Sequence, residues 1–533
     1  MANTNNAAIF SPEVQSLMTL VEESTRSTKE AVRYFVQPGE GILDRAKSRR
    51  HQIIFGRRGS GKSSLLGKIY ADQLVARQPS ALVDLEAFKG HSYPDVLVSV
   101  LIKTFTEFAN WVDTAATAPA TKTSFWKAFT QKKAAAAKLS RADAERLSAR
   151  VRTEIAALEV ILHAPEEAKT KIADERTKGA AAKVGAAGKI GNDVASFDIG
   201  GSYEENDSTN RRVESEYSSR KIESLHRNIM RYKQMFQDIA AASGGDAFLL
   251  LDDLYHIRQS DQAEMIDYFH RVAKGSSLWL KIGTIRHRTR WYVAGDPPIG
   301  VKLGDDVDQI DLDVTLESYQ TTKAFLFRVL EQFSADRGVE LGDILADGAR
   351  DRLVLASGGV ARDFLGLFRK AASETQERVL RKETARGDKI GAEDVNRAAG
   401  SYYENKTEEL KTATASDERA AFMLSVNKIR DFCLDNSETN CFLVEKDLGD
   451  EVEHQMGELV DLKFIHHVRS RVTVRSRERR VYDAFMLDLS FYTGERARRG
   501  FEMIEFWKAG SDDSLRKPKL ILLEDSTKVK AKI

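Results

Sequence analysis

The chain has 533 residues, which is too long for one hydrophobic core, and a prior of about 150 residues per domain predicts three or four domains. Its apolar fraction of 42% and its charged fraction of 30% are those of folded globular proteins, which excludes extensive disorder. The 81 basic and 80 acidic residues leave a net charge of +1, so any site for a polyanion has to be a local cluster.

The cysteine content and the start of the chain predict a cytoplasmic protein. Cys433 and Cys441 are the two cysteines, and they cannot form a framework of disulfides. Residues Met1–Asn6 lack the basic and apolar pattern of an export signal. The apolar runs Val96–Ile102 and Phe248–Leu251 are far shorter than the ~20 residues that a membrane-spanning helix needs. We therefore expect no membrane partner.

Changes of pattern along the chain predict four regions. Residues 1–50 form an N-terminal helical segment, and residues 51–310 combine apolar strands with helices. Residues 311–415 are mostly helical, and residues 416–533 contain helices followed by an arginine-rich strand pair. A helical insertion at about 115–210 is expected to form two arms with a flexible or hairpin tip. It either packs on the second region as a bracket or binds a partner.

Short apolar runs in the second region predict buried strands. The predicted strands are His51–Phe55, Ala81–Leu85, Ala247–Leu251 and Leu278–Gly283.

A glycine-rich loop follows the first predicted strand and precedes a predicted helix, Ser63–Ala76. Residues Gly56–Ser63 fit the pattern G-x-x-x-x-G-K-[ST], in which glycines let successive backbone N–H groups point at phosphate oxygens. The helix N-terminus adds a partial positive charge. Lys62 is expected to reach the β- and γ-phosphates, and the Ser63 hydroxyl to ligate Mg²⁺. The loop predicts a site for ATP and Mg²⁺ formed by Gly56, Arg57, Arg58, Gly59, Ser60, Gly61, Lys62, Ser63 and Ser64.

Two carboxylates end the apolar strand that begins at Ala247. Asp252 is expected to bind Mg²⁺, through water, and Asp253 lies where a general base would polarise the attacking water. Aspartate is one methylene shorter than glutamate, so hydrolysis is expected to be slow or to need a partner.

Thr284 follows the last predicted strand. This segment resembles the strand that, in P-loop ATPases, places a polar residue near the γ-phosphate, and the alternative is a simple strand-end cap. Arg286, Arg288 and Arg290 alternate after it. They form either a solvated basic loop or a source of an arginine finger for a neighbour's nucleotide.

A glycine turn, Gly358-Gly359, precedes a helix with Arg362 in its first turn. Together with the loop and the acidic strand end, this turn resembles the AAA+ ATPases of the origin-recognition and replication-initiator type and the related STAND ATPases. The resemblance gives Arg362 the role of γ-phosphate sensor, and the alternative is an ordinary helix-start arginine. Two departures are the Asp252-Asp253 pair, where hydrolysing AAA+ proteins commonly have Asp-Glu, and the large insertion.

The resemblance implies an α/β fold. Its parts are a P-loop NTPase core, in which helices flank a parallel sheet, a helical lid, a helical insertion and a C-terminal winged-helix-like α+β domain. Residues 51–310 are the expected core and residues 311–415 the expected lid.

The C-terminal region ends in a basic strand pair. Predicted helices at Glu418–Leu434 and Asp450–Leu462 precede it, as in a winged helix. The second helix is acidic, so the wing is the part expected to contact double-stranded DNA. The alternative is an exposed hairpin or a protein-binding module. The candidate DNA-binding residues are Arg469, Arg471, Arg475, Arg477, Arg479 and Arg480.

These features predict an ATP-hydrolysing AAA+ or STAND-type switch that forms homo-oligomers and whose winged helix engages DNA or a nucleoprotein complex. The alternative is a STAND-like sensor or scaffold in bacterial anti-phage defence, in which ATP-gated oligomerisation controls a protein effector. A small-molecule kinase is less favoured, because nothing in the sequence resembles a small-substrate pocket.

Overall fold

The computed structural model describes residues 7–24, 31–117, 140–163, 219–243, 245–413, 416–446, 448–477, 479–496, 500–508 and 510–522. A parallel sheet and a separate two-stranded ribbon lie in the part of the chain before residue 312. Their strands are β1 (Gln52–Phe55), β2 (Ser80–Asp84), β3 (Ala247–Asp252), β4 (Leu278–Thr284), β5 (Tyr292–Val293), β6 (Ile299–Gly300) and β7 (Asp308–Asp311).

The parallel sheet has five strands in the order β2-β3-β4-β1-β7, while β5 and β6 form the ribbon. Phe55 at the end of β1 is level with Thr284 at the end of β4, and Asp84 is level with Asp252. The carboxyl ends of β1 to β4 therefore meet at one edge. The predicted α/β class is confirmed. Strand β7 was not predicted, because only Ile310 in it is buried and its sequence has no apolar run.

Helices cover both faces of this sheet. One face packs on α2 (Ile42–Ala46) and α3 (Lys62–Val75), through residues such as Ile54 and Leu250. The other face carries Ile53 and Leu249. Alternation along each strand thus supplies two cores. The helices on the second face are α4 (Asp95–Thr117), α5 (141–163), α6 (219–227), α7 (Ile229–Ala242) and α8 (Gln259–Ala273).

The described arms of the insertion pack on the sheet-covering helices. Val151 and Leu158 of α5 are fully buried in the core that α4 and α7 share. An ion pair of 2.6 Å joins Arg152 to Asp113 of α4. Lys221 of α6 donates to Leu162 O at 3.0 Å. The described arms form a bracket on the core, and their predicted tip lies outside the described residues.

The region after the sheet is helical, as predicted. The N-terminal helix α1 (Pro12–Ser24) packs on this region rather than on the sheet, and Gln376 Nε2 donates to Ile9 O at 2.8 Å. Inside it, Arg378 and Asp394 form a buried ion pair of 2.9 Å. Its helices are α9 (Tyr319–Asp336), α10 (Leu341–Ile344), α11 (Asp347–Ser357), α12 (Ala361–Leu380) and α13 (Ala392–Ala413).

The C-terminal region is winged-helix-like. Its strands are β8 (Cys441–Glu445), β9 (Ile465–Thr473) and β10 (Val481–Leu487). They form an antiparallel sheet of order β8-β10-β9 that packs with helices, and the β9–β10 hairpin forms the wing. Strand β8 was not predicted, although its apolar run is of the same kind as those that predicted strands in the second region. No helix in the described part of the chain is long and apolar enough to cross a membrane. The helices of the C-terminal region are α14 (Ser416–Asp431) and α15 (Asp450–Asp461).

Substitution of Leu158 by alanine tests the packing of α5. Leu158 is fully buried, so Leu158→Ala is expected to cost about 2–5 kcal/mol and to speed amide hydrogen exchange in α5 and α7. Val160 on the same helix is 69% exposed, so Val160→Ala is the matched control and should stay within about 0.5 kcal/mol of the parent. Equal exchange rates in the two variants would contradict the packing.

Candidate functional site

The glycine-rich loop connects β1 to α3 at the carboxyl edge of the sheet. Gly59 and Gly61 have φ angles of 89° and 102°, in the left-handed region that favours glycine. A Cβ on Gly59 would also lie 2.8 Å from Cβ of Arg362, so this position has no room for a side chain. Helix α3 begins at Lys62 and directs its N-terminus at the loop. The backbone thus has the form of a phosphate cradle.

Lys62 lies inside this loop and is buried. Its Nζ donates to Gly56 O at 2.9 Å and to Arg57 O at 3.2 Å. Burial lowers the pKa of Lys62, while the carboxylates of Asp253 and Asp252 act in the opposite direction. The ammonium group is therefore held beside the acidic ends of the strands.

Asp252 ends β3 and is buried beside other acids. Burial and the neighbouring Asp253 raise the pKa of Asp252 to about 7, against the effect of a hydrogen bond from the Ser63 hydroxyl and the charge of Lys62. Asp84 at the end of β2 raises it further. Asp84, Asp252 and Asp253 thus form an acidic corner at the carboxyl ends of β2 and β3, and Lys62 offsets their negative charge only in part.

Asp253 has an unusual backbone conformation. Its φ of 56° lies in the left-handed region, and its N–H donates to Asp252 Oδ1 at 3.0 Å. Burial raises its pKa, and the nearby Lys62 lowers it. A carboxyl with a raised pKa and a fixed position is suited to accept a proton.

Ser63 and Asp252 fit a magnesium ion. Hydroxyl and carboxylate oxygens are ligands that Mg²⁺ prefers, and these two already touch through a hydrogen bond. The excess negative charge of the corner is the second observation, because a divalent cation would offset it.

A cavity of about 1150 Å³ extends from this corner between the sheet and the helical region. Phosphate-loop residues, acids and Arg362 line its polar end, while its other end is apolar. The polar wall includes Arg58, Gly59, Ser60, Gly61, Lys62, Ser63, Ser64, Asp252, Asp253 and Arg362. The apolar wall includes Phe35, Val36, Pro38, Leu74, Phe325, Val329 and Phe333. The volume and the two kinds of wall suit a nucleotide, with the phosphates in the loop and the base at the apolar end.

Arg57 of the loop joins this region to the helices that follow the sheet. The side chain is 3% exposed, and its Nη2 donates to Val314 O at 2.9 Å and to Gly358 O at 3.1 Å. Its backbone N–H donates to Asp313 Oδ1 at 2.9 Å. The loop therefore holds both the segment that enters the helical region and the glycine turn before Arg362.

Arg362 lies in the first turn of α12, where its N–H donates to Gly59 O at 3.2 Å. Its side chain lines the cavity beside the loop. The structure thus brings Arg362 together with the predicted phosphate-binding residues and with Asp252 and Asp253.

Thr284 is placed differently. It is fully buried at the end of β4, and its hydroxyl is 2.5 Å from the Thr289 hydroxyl, which donates to Ile285 O at 2.7 Å. Thr284 is not among the residues that line the cavity. Arg286 packs over the Phe55 ring at 4.0 Å.

The wing arginines lie on the β9–β10 hairpin, and none of them lines the cavity. Arg471 and Arg475 are exposed, whereas Val472 and Val474 are buried, so basic and packed residues alternate along this segment. Of the remaining candidates, Arg469 is half-buried, while Arg477, Arg479 and Arg480 are exposed.

One side of helix α15 packs against the loop after β4. A Cβ on Gly457 would overlap the His287 ring, and the rings of His287 and His454 are 6.0 Å apart. This close approach places the acidic helix against the part of the molecule that contains the parallel sheet.

Several residues of the site were not predicted. Tyr255 lines the cavity, with its ring 5.8 Å from Lys62 Nζ, and Asp84 adds a third carboxylate. The acidic end of the predicted strand Ala81–Leu85 was a signal for Asp84. Nothing local marks Asp313 as the partner of Arg57, because the two are distant in sequence.

No protein-family model and no curated protein matches this chain. Eleven chains of solved structures match. The Orc1 protein of Aeropyrum pernix in complex with DNA is 12% identical, with 86% of this chain and 91% of that chain covered and a TM-score of 0.31. Drosophila ORC bound to DNA is 11% identical, with 92% and 91% covered and a TM-score of 0.31. Similarity at this level carries no argument about function.

The raised pKa of Asp252 predicts a pH-dependent loss of stability. Its stabilising contribution is full below the unfolded pKa of about 3.9 and is lost as pH rises through the folded pKa of about 7. Asp252→Asn cannot ionise, so it should melt at a higher temperature than the parent at about pH 8 but not at about pH 4.

Differential scanning calorimetry without nucleotide measures this difference. Asp305→Asn, on an exposed turn, controls for the loss of a surface carboxyl. A melting temperature of Asp252→Asn below that of the parent at the higher pH would contradict the expectation.

Proposed function

We propose that this protein is a magnesium-dependent ATPase of the AAA+ type that works as a molecular switch. The observation that carries the proposal is one cavity lined by the phosphate loop, by the Asp252-Asp253 pair and by Arg362 of the helical lid. Residues 51–310 are its core and residues 311–415 its lid. The sequence resemblance to AAA+ and STAND ATPases supports the same reading.

The chain's own groups would bind and orient the triphosphate. Loop amides and Lys62 would neutralise the β- and γ-phosphates, and Arg362 would contact the γ-phosphate from the lid. Ser63 and Asp252 would hold Mg²⁺, which would offset the negative charge of the phosphate oxygens when bound.

Asp253 would accept the proton of the attacking water. Its raised pKa brings it toward the neutral range in which a general base is effective. Its side chain is short and its backbone is fixed by the hydrogen bond to Asp252, so we propose a slow reaction. Thr284 is proposed to support the end of β4, on which the site is built.

The winged-helix-like region is proposed to bind double-stranded DNA through its wing. Arg471 at the end of β9 and Arg475 in the turn after it are exposed, while Val472 and Val474 between them are buried, and this arrangement suits contacts to phosphates. Helix α15 is acidic and lies against the loop after β4, so it is not offered as a groove-reading helix. We further propose that the active form is a homo-oligomer.

One observation favours the alternative, a sensor or scaffold that controls a protein effector. The C-terminal region shares a continuous hydrophobic core with the lid and with helix α1. A change of lid position would therefore move this region as a unit, which a protein partner could detect without DNA.

Two substitutions in the loop and in the acidic pair separate binding from hydrolysis. Lys62→Ala should weaken ATP binding by at least about tenfold, because it removes the charge at the phosphates. Asp253→Asn should keep ATP affinity and lower kcat by about 10²- to 10⁴-fold. Calorimetric titration and a phosphate-release assay measure the two quantities.

Lys68→Ala is the matched control on the same helix, since Lys68 pairs with Asp72 at the surface at 3.0 Å. It should leave both quantities within about twofold of the parent. Full ATP binding by Lys62→Ala would overturn the proposed site.

The double substitution Arg471→Ala and Arg475→Ala tests the wing. It should weaken duplex binding at every sequence and lower the slope of log affinity against log salt by about 2. Fluorescence anisotropy with a labelled duplex measures both. Arg516→Ala, an exposed arginine that pairs with Asp513 at 3.4 Å, is the control. An unchanged slope in the double variant would favour the effector-controlling alternative.

A further inference from the structure

A second cavity of about 240 Å³ lies beside the nucleotide cavity. The two cavities share Arg58, Glu86, Tyr255 and His256 in their walls. The far wall of the smaller cavity comes from Ile285 and Arg288 of the segment after β4 and from residues Asp461–Lys463 at the end of α15. The core and the C-terminal region therefore enclose this space together.

Cations outnumber anions in its walls. The basic side chains come from Arg58, Lys89, Arg288 and Lys463, and the acidic ones from Glu86 and Asp461. Lys463 is also 2.9 Å from Asp363, and burial lowers the pKa of His256. The cations stand on four segments of the chain, so an anion in the centre could be contacted from several directions.

Arg288 and Asp461 face this cavity without touching each other. Asp461 Oδ2 is buried and, among the described residues, has no hydrogen-bond partner. No described side chain forms a hydrogen bond with the guanidinium of Arg288. The positive charge of Arg288 nevertheless lowers the pKa of Asp461. An unpaired buried carboxylate oxygen is costly, so the pair is expected to be bridged by a group that can serve both.

A bridging group has to accept hydrogen bonds from Arg288 and share a proton with Asp461. Burial raises the pKa of Asp461 to about 7; Asp313 raises it too, whereas Arg57, Arg288 and Lys62 lower it. Hydrogen phosphate has three oxygens that accept hydrogen bonds, which suits Arg288, and one hydroxyl that donates, which suits Asp461.

We propose that the second cavity binds inorganic phosphate as hydrogen phosphate, between Arg58 and Arg288 on the core side and Asp461 on the C-terminal side. Sulfate has the same shape but no proton to donate at neutral pH. It would leave the carboxylate of Asp461 against an anionic oxygen, and the cavity should therefore select phosphate.

The source of the phosphate rests on the function proposed above. The γ-phosphate would lie near Arg58, whose side chain lines both cavities, so the phosphate released by hydrolysis has a short path into the smaller one. There it would connect the core to the C-terminal region after hydrolysis. Binding of free phosphate from solution uses the same contacts and does not require hydrolysis.

Calorimetric titration of the full chain in Mg²⁺–ADP, at about pH 8.5 so that Asp461 is ionised, tests the site. Phosphate should bind at least about tenfold more tightly than sulfate. Asp461→Asn should weaken phosphate about tenfold and remove the preference, since its amide can donate to sulfate. Arg288→Gln should weaken both anions about tenfold, and the exposed neighbour substitution Arg290→Gln should change neither.

Equal affinity for the two anions in the parent, or no effect of Arg288→Gln, would overturn the proposal. Arg288→Gln removes no hydrogen bond to the residues that the structure describes, so it serves as the test if Asp461→Asn does not fold.

A single-turnover experiment with a fluorescent phosphate sensor distinguishes the two sources of phosphate. If the released phosphate occupies the cavity, free phosphate should appear in solution faster with Arg288→Gln than with the parent. The cleavage step, measured by acid quench, should precede this release in both proteins. Phosphate binding in the titration without any turnover would support the site and count against the ATPase. Turnover without selective phosphate binding would support the ATPase and count against the phosphate site.

Discussion

The buried guanidinium of Arg57 is the contact on which the arrangement of the site depends. It joins the phosphate loop to Asp313 and Val314, where the chain leaves the sheet, and to the carbonyl of Gly358. A cation with so little exposure is stable only if these acceptors stay in place. The same turn is covered from the C-terminal side by His466, whose ring a Cβ on Gly358 would overlap. Loop, lid and C-terminal region thus meet at one glycine.

Charge is distributed unevenly around that junction. The ends of β2 and β3 concentrate carboxylates: Asp253 and Asp84 raise the pKa of Asp252, and Lys62 only partly offsets their effect. On the C-terminal side, Asp488 is buried with Lys406 at 2.6 Å and with His466 at 2.7 Å, and these partners hold its pKa well below its usual range. Asp488 is therefore compensated by charges inside the protein, whereas the carboxylates at the ends of β2 and β3 are only partly compensated.

The sequence predicted the parts of the fold that local pattern encodes. Strand β1, the loop and helix α3 follow from an apolar run, three glycines and a helical repeat within a short segment. Strand β7 could not be predicted in this way, because it is an edge strand and only Ile310 needs to be apolar. The role of Arg57 and the position of Asp461 depend on residues far along the chain. The spacing of apolar residues in a local segment does not predict such contacts. Thr284 was correctly placed at a strand end, but its hydroxyl's partner, Thr289, is a tertiary detail.

Helix α1 is packed against residues that lie far along the chain. Its apolar face packs on α9 and α12, and Gln376 donates to Ile9 O across 367 positions of sequence. During synthesis this helix has no surface to cover until the lid emerges, although the sheet between them can pair earlier. The contact closes a loop of 367 positions, which costs conformational entropy. Until the lid has been synthesised, the apolar surface of α1 is available to chaperones or to a second chain.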